Sequence, residues 1–199
     1  MTTTHVPPGY QLHGDLFGGF DMPAWRFLVL GNLLALIPLA ALALLLWLPY
    51  QLYIALGAPL AAPDPGWAQP VAWGVGLAII IGSAAGHELL HALALKLLGY
   101  HPRLSFAGGF LFAAIRPGEF LTRRHYLIMV LTPVLALTFG GGALLPFLPP
   151  PVGQAVLIAL LLNGAASIGD LLVADRARRQ PAGALFASDE TGIKVYMPA

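Results

Sequence analysis

Four stretches of this chain, 27–48, 71–95, 127–148 and 152–174, are apolar and long enough to cross a hydrocarbon core, which takes roughly 20 helical residues. The first and third carry no Asp, Glu, Lys, Arg or His. The second carries only His87, Glu88 and His91, and the fourth only Asp170. Pro38 and Pro133 lie inside two of these runs, where neighbouring helices must re-satisfy the backbone groups that a proline leaves open. A chain with four such runs has one economical solution, a bundle of membrane-spanning helices.

Composition excludes the alternatives. Apolar residues make up 58% of the 199 and charged residues 10%, against roughly 45–50% and about 25% in soluble domains. That much apolar side chain exceeds what one globule of this length can hide from water. The net charge of +1 provides no basic field for nucleic acid, so none is expected as a partner. With no cysteine there are no disulfides, thiolate ligands or cysteine nucleophile. Any metal must be held by His, Asp or Glu.

All ten basic residues fall where one orientation puts them on the same side. Arg26 precedes the first run; Lys96, Arg103, Arg116, Arg123 and Arg124 separate the second and third; Arg176, Arg178, Arg179 and Lys194 follow the fourth. The two other connections contain neither Lys nor Arg. Because Lys and Arg concentrate in cytoplasmic loops, both termini and the middle loop are expected in the cytoplasm. The first 26 residues lack a basic lead before a short apolar run, so no cleaved signal peptide is expected. The expected architecture is an all-α polytopic membrane protein of about four transmembrane helices. Its parts are a cytoplasmic N-terminal segment (1–26), a four-span membrane domain (27–174) and a cytoplasmic tail (175–199). Richness in Ala, Leu, Gly, Pro and Arg suits a GC-rich prokaryote, and hence its cytoplasmic membrane.

Between the second and third runs, Gly108-Gly109 separates two β-prone segments. This is a hairpin signal, and a short β-hairpin is expected over Leu104 to Ile115. It reads either as an interfacial loop on lipid headgroups or as a functional element.

Ionisable groups inside membrane helices are costly and mark function. His87-Glu88-Leu89-Leu90-His91 has the pattern H-E-x-x-H. On a helix, residues i and i+4 differ by about 40° around the axis and about 6 Å along it, so both imidazoles reach one Zn²⁺ from one face. Glu88 is placed to act as general base on water at that metal. From composition alone such a match arises by chance in roughly three chains per thousand. The competing reading is a buried hydrogen-bonded cluster or an ion path. A divalent cation offsets the burial of these groups more naturally.

A catalytic zinc has three protein ligands and an open position, and Asp170 is the other acid within a span. Counting 1.5 Å per residue, His91 lies about 7.5 Å before Lys96 and Asp170 about 9 Å before Arg176, so the two are level. Asp170 is therefore the expected third ligand, the alternative being a partner for Arg176 or Arg178. Asn163 lies two helical turns before Asp170 and shares its face. It is a candidate for binding substrate or a developing oxyanion, or for an interhelical hydrogen bond on a face lined by Gly164, Ala165, Ala166, Ser167 and Gly169. His5, His13, His101 and His125 have no partner at ligand spacing and are expected on the surface.

These residues resemble the zincin peptidase family of integral membrane proteins, formerly a domain of unknown function. More distantly the chain is similar to the site-2 intramembrane zinc metalloproteases. The resemblance rests on Gly86 to His91 and Asn163 to Asp170. It extends through Pro117-Gly118 and Thr132-Pro133 to the tail from Asp189 to Tyr196, and so covers roughly residues 71–199. It implies His87, His91 and Asp170 as zinc ligands and Glu88 as base. In site-2 proteases a membrane-associated β element holds the substrate extended, a role the resemblance implies for the 104–115 hairpin. Those proteases also have an Asp-Gly pair and prolines in the ligand helix. Here Leu171 follows Asp170 and residues 165–169 include no proline, so the role of Asn163 and the substrate range do not carry over.

The expected function is that of a membrane-embedded zinc endopeptidase cutting membrane or membrane-proximal peptide substrates near the cytoplasmic face. The alternative is a non-proteolytic metal-binding membrane protein: a sensor, scaffold or transporter. The outer halves of the spans offer little polarity beyond Ser83 and Thr138, which disfavours a conduit, and a closed structural site would require a further ligand.

Overall fold

The computed structural model describes residues 6–16, 24–55, 69–107, 110–189 and 192–199. His5 and the Gly108-Gly109 pair lie outside them. In chain order the elements are β1 (Tyr10–Asp15), α1 (Ala24–Ala55), α2 (Gln69–Leu97), β2 (Pro102–Ala107), β3 (Phe110–Ile115), β4 (Leu121–Thr122) and α3 (Arg123–Leu135). A π-helical stretch, Ala136–Gly141, then leads through one turn of α4 (Gly142–Leu144) and a 3₁₀ turn, Leu145–Phe147. The chain closes with α5 (Pro150–Ala166), α6 (Ile168–Arg179), β5 (Leu185–Asp189) and β6 (Gly192–Pro198).

Three helical stretches are long and apolar enough to cross a membrane: Leu33–Leu52, Gly74–Leu97 and Arg123–Phe147. In each, less than a quarter of the apolar window is buried. On α1 alone, Leu33, Leu36, Ile37, Leu44, Trp47, Leu48 and Leu52 are exposed, a surface suited to lipid rather than water. The fourth run is not one straight helix. Val152–Ala166 and Ile168–Arg179 pass the same test only as a pair, bent by 42°.

Ser167 accounts for the break. At φ −67°, ψ −2° it caps the end of α5, and both its N–H and its hydroxyl donate to the Asn163 carbonyl, at 2.9 and 2.7 Å. A serine hydroxyl bonding back to the i−4 carbonyl is a known source of helix bending.

Six strands among the described residues correct the all-α expectation. The hairpin is present, with β2 and β3 antiparallel from Pro102↔Ile115 to Ala107↔Phe110. A second sheet, in the order β1-β6-β5-β4, joins residues near both ends of the chain. Thus Tyr10–Asp15, in the expected cytoplasmic N-terminal segment, pairs antiparallel with the tail strand β6. A bulge falls between Leu12 and Gly14, where Gly14 takes φ +146°, a conformation open mainly to glycine.

The chain forms two units. One comprises Met1–Phe27, Glu88–Thr132 and Gly169–Ala199. Its core includes Leu16, Leu95, Ile115, Leu121, Tyr126, Val130, Phe186, Val195 and Tyr196. Tyr126 stacks on Phe186 with centroids 4.6 Å apart, and Phe120 meets Tyr196 edge-on at 5.2 Å. Lys194 on β6 forms an ion pair with Asp15 on β1, and Arg176 donates to the Leu16 carbonyl at 3.0 Å.

The other unit comprises Leu28–His87 and Pro133–Ile168, packed around Leu42, Leu46 and Leu160. Gly164 makes this packing close. A Cβ there would stand 2.9 Å from Leu42 Cδ1, so glycine lets α5 approach α1. Ser83 on α2 donates to the Ala159 carbonyl at 3.1 Å.

Candidate metal centre

His87, Glu88 and His91 lie on the single helix α2, and one ligand atom from each comes within 4.8 Å of the others. Among the described residues no other group of His, Asp or Glu meets that test. Both histidines are buried and Glu88 is partly so.

The hydrogen bonds of the two rings decide what they present. His91 Nδ1 lies 2.9 Å from the Met129 carbonyl oxygen. A carbonyl only accepts, so Nδ1 carries a proton, and in the neutral ring Nε2 keeps its lone pair. His87 Nδ1 lies 2.7 Å from Asn163 Oδ1, again an acceptor. Both rings are thus held in the tautomer that offers Nε2, the arrangement metal-ligating histidines adopt when the other nitrogen donates to an outer partner. A helix forming only a packed hydrogen-bonded cluster would not need both Nε2 atoms oriented alike.

Asp170, in the first turn of α6, places Oδ2 3.5 Å from His91 Nε2. Two ligands about 2.0–2.1 Å from a tetrahedral zinc are separated by roughly 3.3 Å, so this spacing suits two ligands of one ion. Asp170 is not part of the tight trio on α2, yet the structure sets it beside His91. Of the two arginines expected as alternative partners, Arg176 and Arg178, the Arg178 guanidinium holds Asp175 at 2.5 and 2.8 Å.

Glu88 Oε2 accepts the backbone N–H of Ala113 on β3 at 2.8 Å. That N–H is therefore aimed out of the hairpin, and Ala113 faces Leu104 across the pair. By the alternation of an antiparallel ladder, the N–H and C=O of Leu111 point outward as well. The outer edge of β3 runs beside the carboxylate expected to act as base.

Asn163 is almost wholly buried, at 2% exposure. Its oxygen serves His87, while Nδ2 has no hydrogen-bond partner among the described residues. The remaining histidines sit elsewhere. His101 Nδ1 donates to Glu119 at 2.5 Å, and the Tyr100 hydroxyl lies 2.8 Å from His125 Nδ1. Three contributors escaped the sequence reading because they act through backbone or a local bond: the Ala113 N–H, the Met129 carbonyl and the Ser167 hydroxyl. Only Met129 left a signal, in the proline four residues later.

Long apolar helices, an H-E-x-x-H group able to hold a metal ion and a nearby aspartate are the features expected of a zincin-type metallopeptidase. The family model described as "Putative zincin peptidase" matches residues 80–185, more than half of the chain, and the protein belongs to that family. No curated protein and no solved structure matches it.

Proposed function

We propose that this protein is a membrane-embedded zinc endopeptidase that hydrolyses peptide bonds of membrane or membrane-proximal substrates near the cytoplasmic face. The observation that carries this reading is the matched pair of imidazoles, with Nδ1 committed to Asn163 and to Met129 and Asp170 3.5 Å from His91 Nε2. His87, His91 and Asp170 would hold the ion. When bound, zinc supplies Lewis acidity that polarises a peptide carbonyl and makes water a usable nucleophile near neutral pH.

The chain's own residues supply the rest. Glu88 takes a proton from the attacking water and later delivers it to the departing amine. The outer edge of β3 holds the substrate extended, since a helix cannot be cut while its carbonyls are bonded within it. A substrate carbonyl accepting from Ala113 N–H would take the place of the Glu88 carboxylate and leave that carboxylate available for proton transfer. Asn163 Nδ2 is a candidate donor to a substrate oxygen. The one-sided Lys and Arg distribution supports cytoplasmic termini, with the site roughly 7–9 Å from the cytoplasmic helix ends, where water has access.

The test is metal-dependent cleavage by the purified full-length protein in detergent or liposomes, using unfolded and single-span peptide substrates. Cleavage that is lost with a chelator and restored by stoichiometric Zn²⁺ supports the assignment. Zinc binding without cleavage of any substrate would favour a non-proteolytic metal protein.

A further inference from the structure

Helix α3 contains Pro133, four residues after Met129. In an α-helix the carbonyl of residue i accepts the N–H of residue i+4, and proline has no N–H. The Met129 carbonyl is therefore the one in this stretch whose regular helical donor has been removed by the covalent structure. It is also the carbonyl that accepts from His91 Nδ1, at 2.9 Å. One residue earlier Ile128 shows the contrast, since its carbonyl accepts the Thr132 hydroxyl at 2.6 Å from its own helix.

We infer that Pro133 is a positioning residue for the metal centre: by withholding an N–H it leaves the Met129 carbonyl for His91, which fixes that ring with Nε2 toward the ion. The inference rests on the metal-site reading above and adds a residue that touches neither metal nor substrate. Proline inside an apolar helix otherwise costs about 3 kcal/mol, so a return from its placement is expected. With an ordinary residue at 133, its N–H competes along the helix axis for the same carbonyl. The His91 ring then has a weaker anchor and is free to rotate or to take the other tautomer, which would put a proton on Nε2.

The experiment separates the missing N–H from the shape of the proline ring. Full-length protein is prepared as wild type, as Pro133→Ala, and with lactic acid at 133, an ester that lacks the N–H as proline does. Zn²⁺ affinity is measured by chelator competition, and the site is also loaded with Co²⁺ for its visible absorption. The alanine variant should bind Zn²⁺ about tenfold more weakly, at the low end of the roughly 10–100-fold effect of losing an outer-shell partner, with an altered Co²⁺ spectrum. The lactic-acid variant should regain wild-type affinity and spectrum. Wild-type affinity in the alanine variant, or equally weak binding in both variants, overturns the role of Pro133 while leaving the metal site intact. Failure of the wild-type protein to bind Zn²⁺ overturns the metal site itself and this inference with it.

Discussion

The Ala113 backbone N–H donates to the Glu88 carboxylate at 2.8 Å, so the edge of a β-hairpin and the proposed general base are in direct contact. If that edge aligns an extended substrate, removing the N–H should impair turnover without touching the metal. Ala113→Pro does this at a strand edge, where proline is tolerated because no ladder bond is lost. We expect kcat/KM to fall by up to about tenfold, in line with the ~0.5–1.5 kcal/mol of a hydrogen bond to a neutral substrate carbonyl. Zinc content should be unchanged; undiminished cleavage would sever the hairpin from catalysis.

Asn163 tests the outer partner of His87. Asn163→Leu removes the acceptor and should weaken Zn²⁺ binding by about 10–100-fold. Asn163→Asp keeps an oxygen on Nδ1 and should retain most of the affinity. Should both variants bind zinc as the wild type does while cleavage falls, Asn163 serves substrate instead.

Asp170→Ala addresses the third ligand. Loss of a ligand should cost more than loss of an outer-shell partner, so the affinity should drop by more than about 100-fold and purified protein should carry substoichiometric zinc. Full zinc occupancy at nanomolar free Zn²⁺ would show that another group completes the site.

A pH effect follows from Glu119. Burial opposes its ionisation, but hydrogen bonds from the ring and backbone N–H of His101, at 2.5 and 3.1 Å, outweigh that and hold the carboxyl below its ordinary value near 4.5. A carboxyl depressed on folding adds stability above its unfolded pKa and loses it as pH falls through the folded one. Thermal midpoints should therefore fall more steeply for wild type than for Glu119→Gln below about pH 4.5. The difference at neutral pH should stay under about 1 kcal/mol, as this is a surface pair. Parallel curves for the two proteins would rule the pair out as a source of acid sensitivity.

Much of the site could be read from residue spacing, because H-E-x-x-H depends only on helical periodicity and because an acid in an apolar run has few bland explanations. His87, Glu88 and His91 accordingly fall together on α2, and the hairpin around Gly108-Gly109 pairs as the flanking β-prone runs suggest. Strand pairings between distant residues were not legible. Tyr10–Asp15 pairs with Gly192–Pro198 across nearly the whole chain, and short strands with mixed polarity carry no mark of such a partner. The break at Ser167 has no proline to announce it; it arises from a hydroxyl bonding back to Asn163. Outer partners of the histidines were half visible. Asn163 was conspicuous as a polar group in an apolar run, whereas the Met129 carbonyl belongs to the backbone, and only Pro133 hints at its availability.

The most direct test of the central claim is the Glu88→Gln variant, with zinc content and peptide cleavage measured on the same preparation. Glutamine keeps the size of the side chain and an oxygen for Ala113 N–H but cannot carry the proton. The account predicts zinc stoichiometry equal to wild type and cleavage reduced by about 10²–10⁴-fold, the usual contribution of a positioned acid or base. Cleavage by Glu88→Gln at the wild-type rate would contradict it.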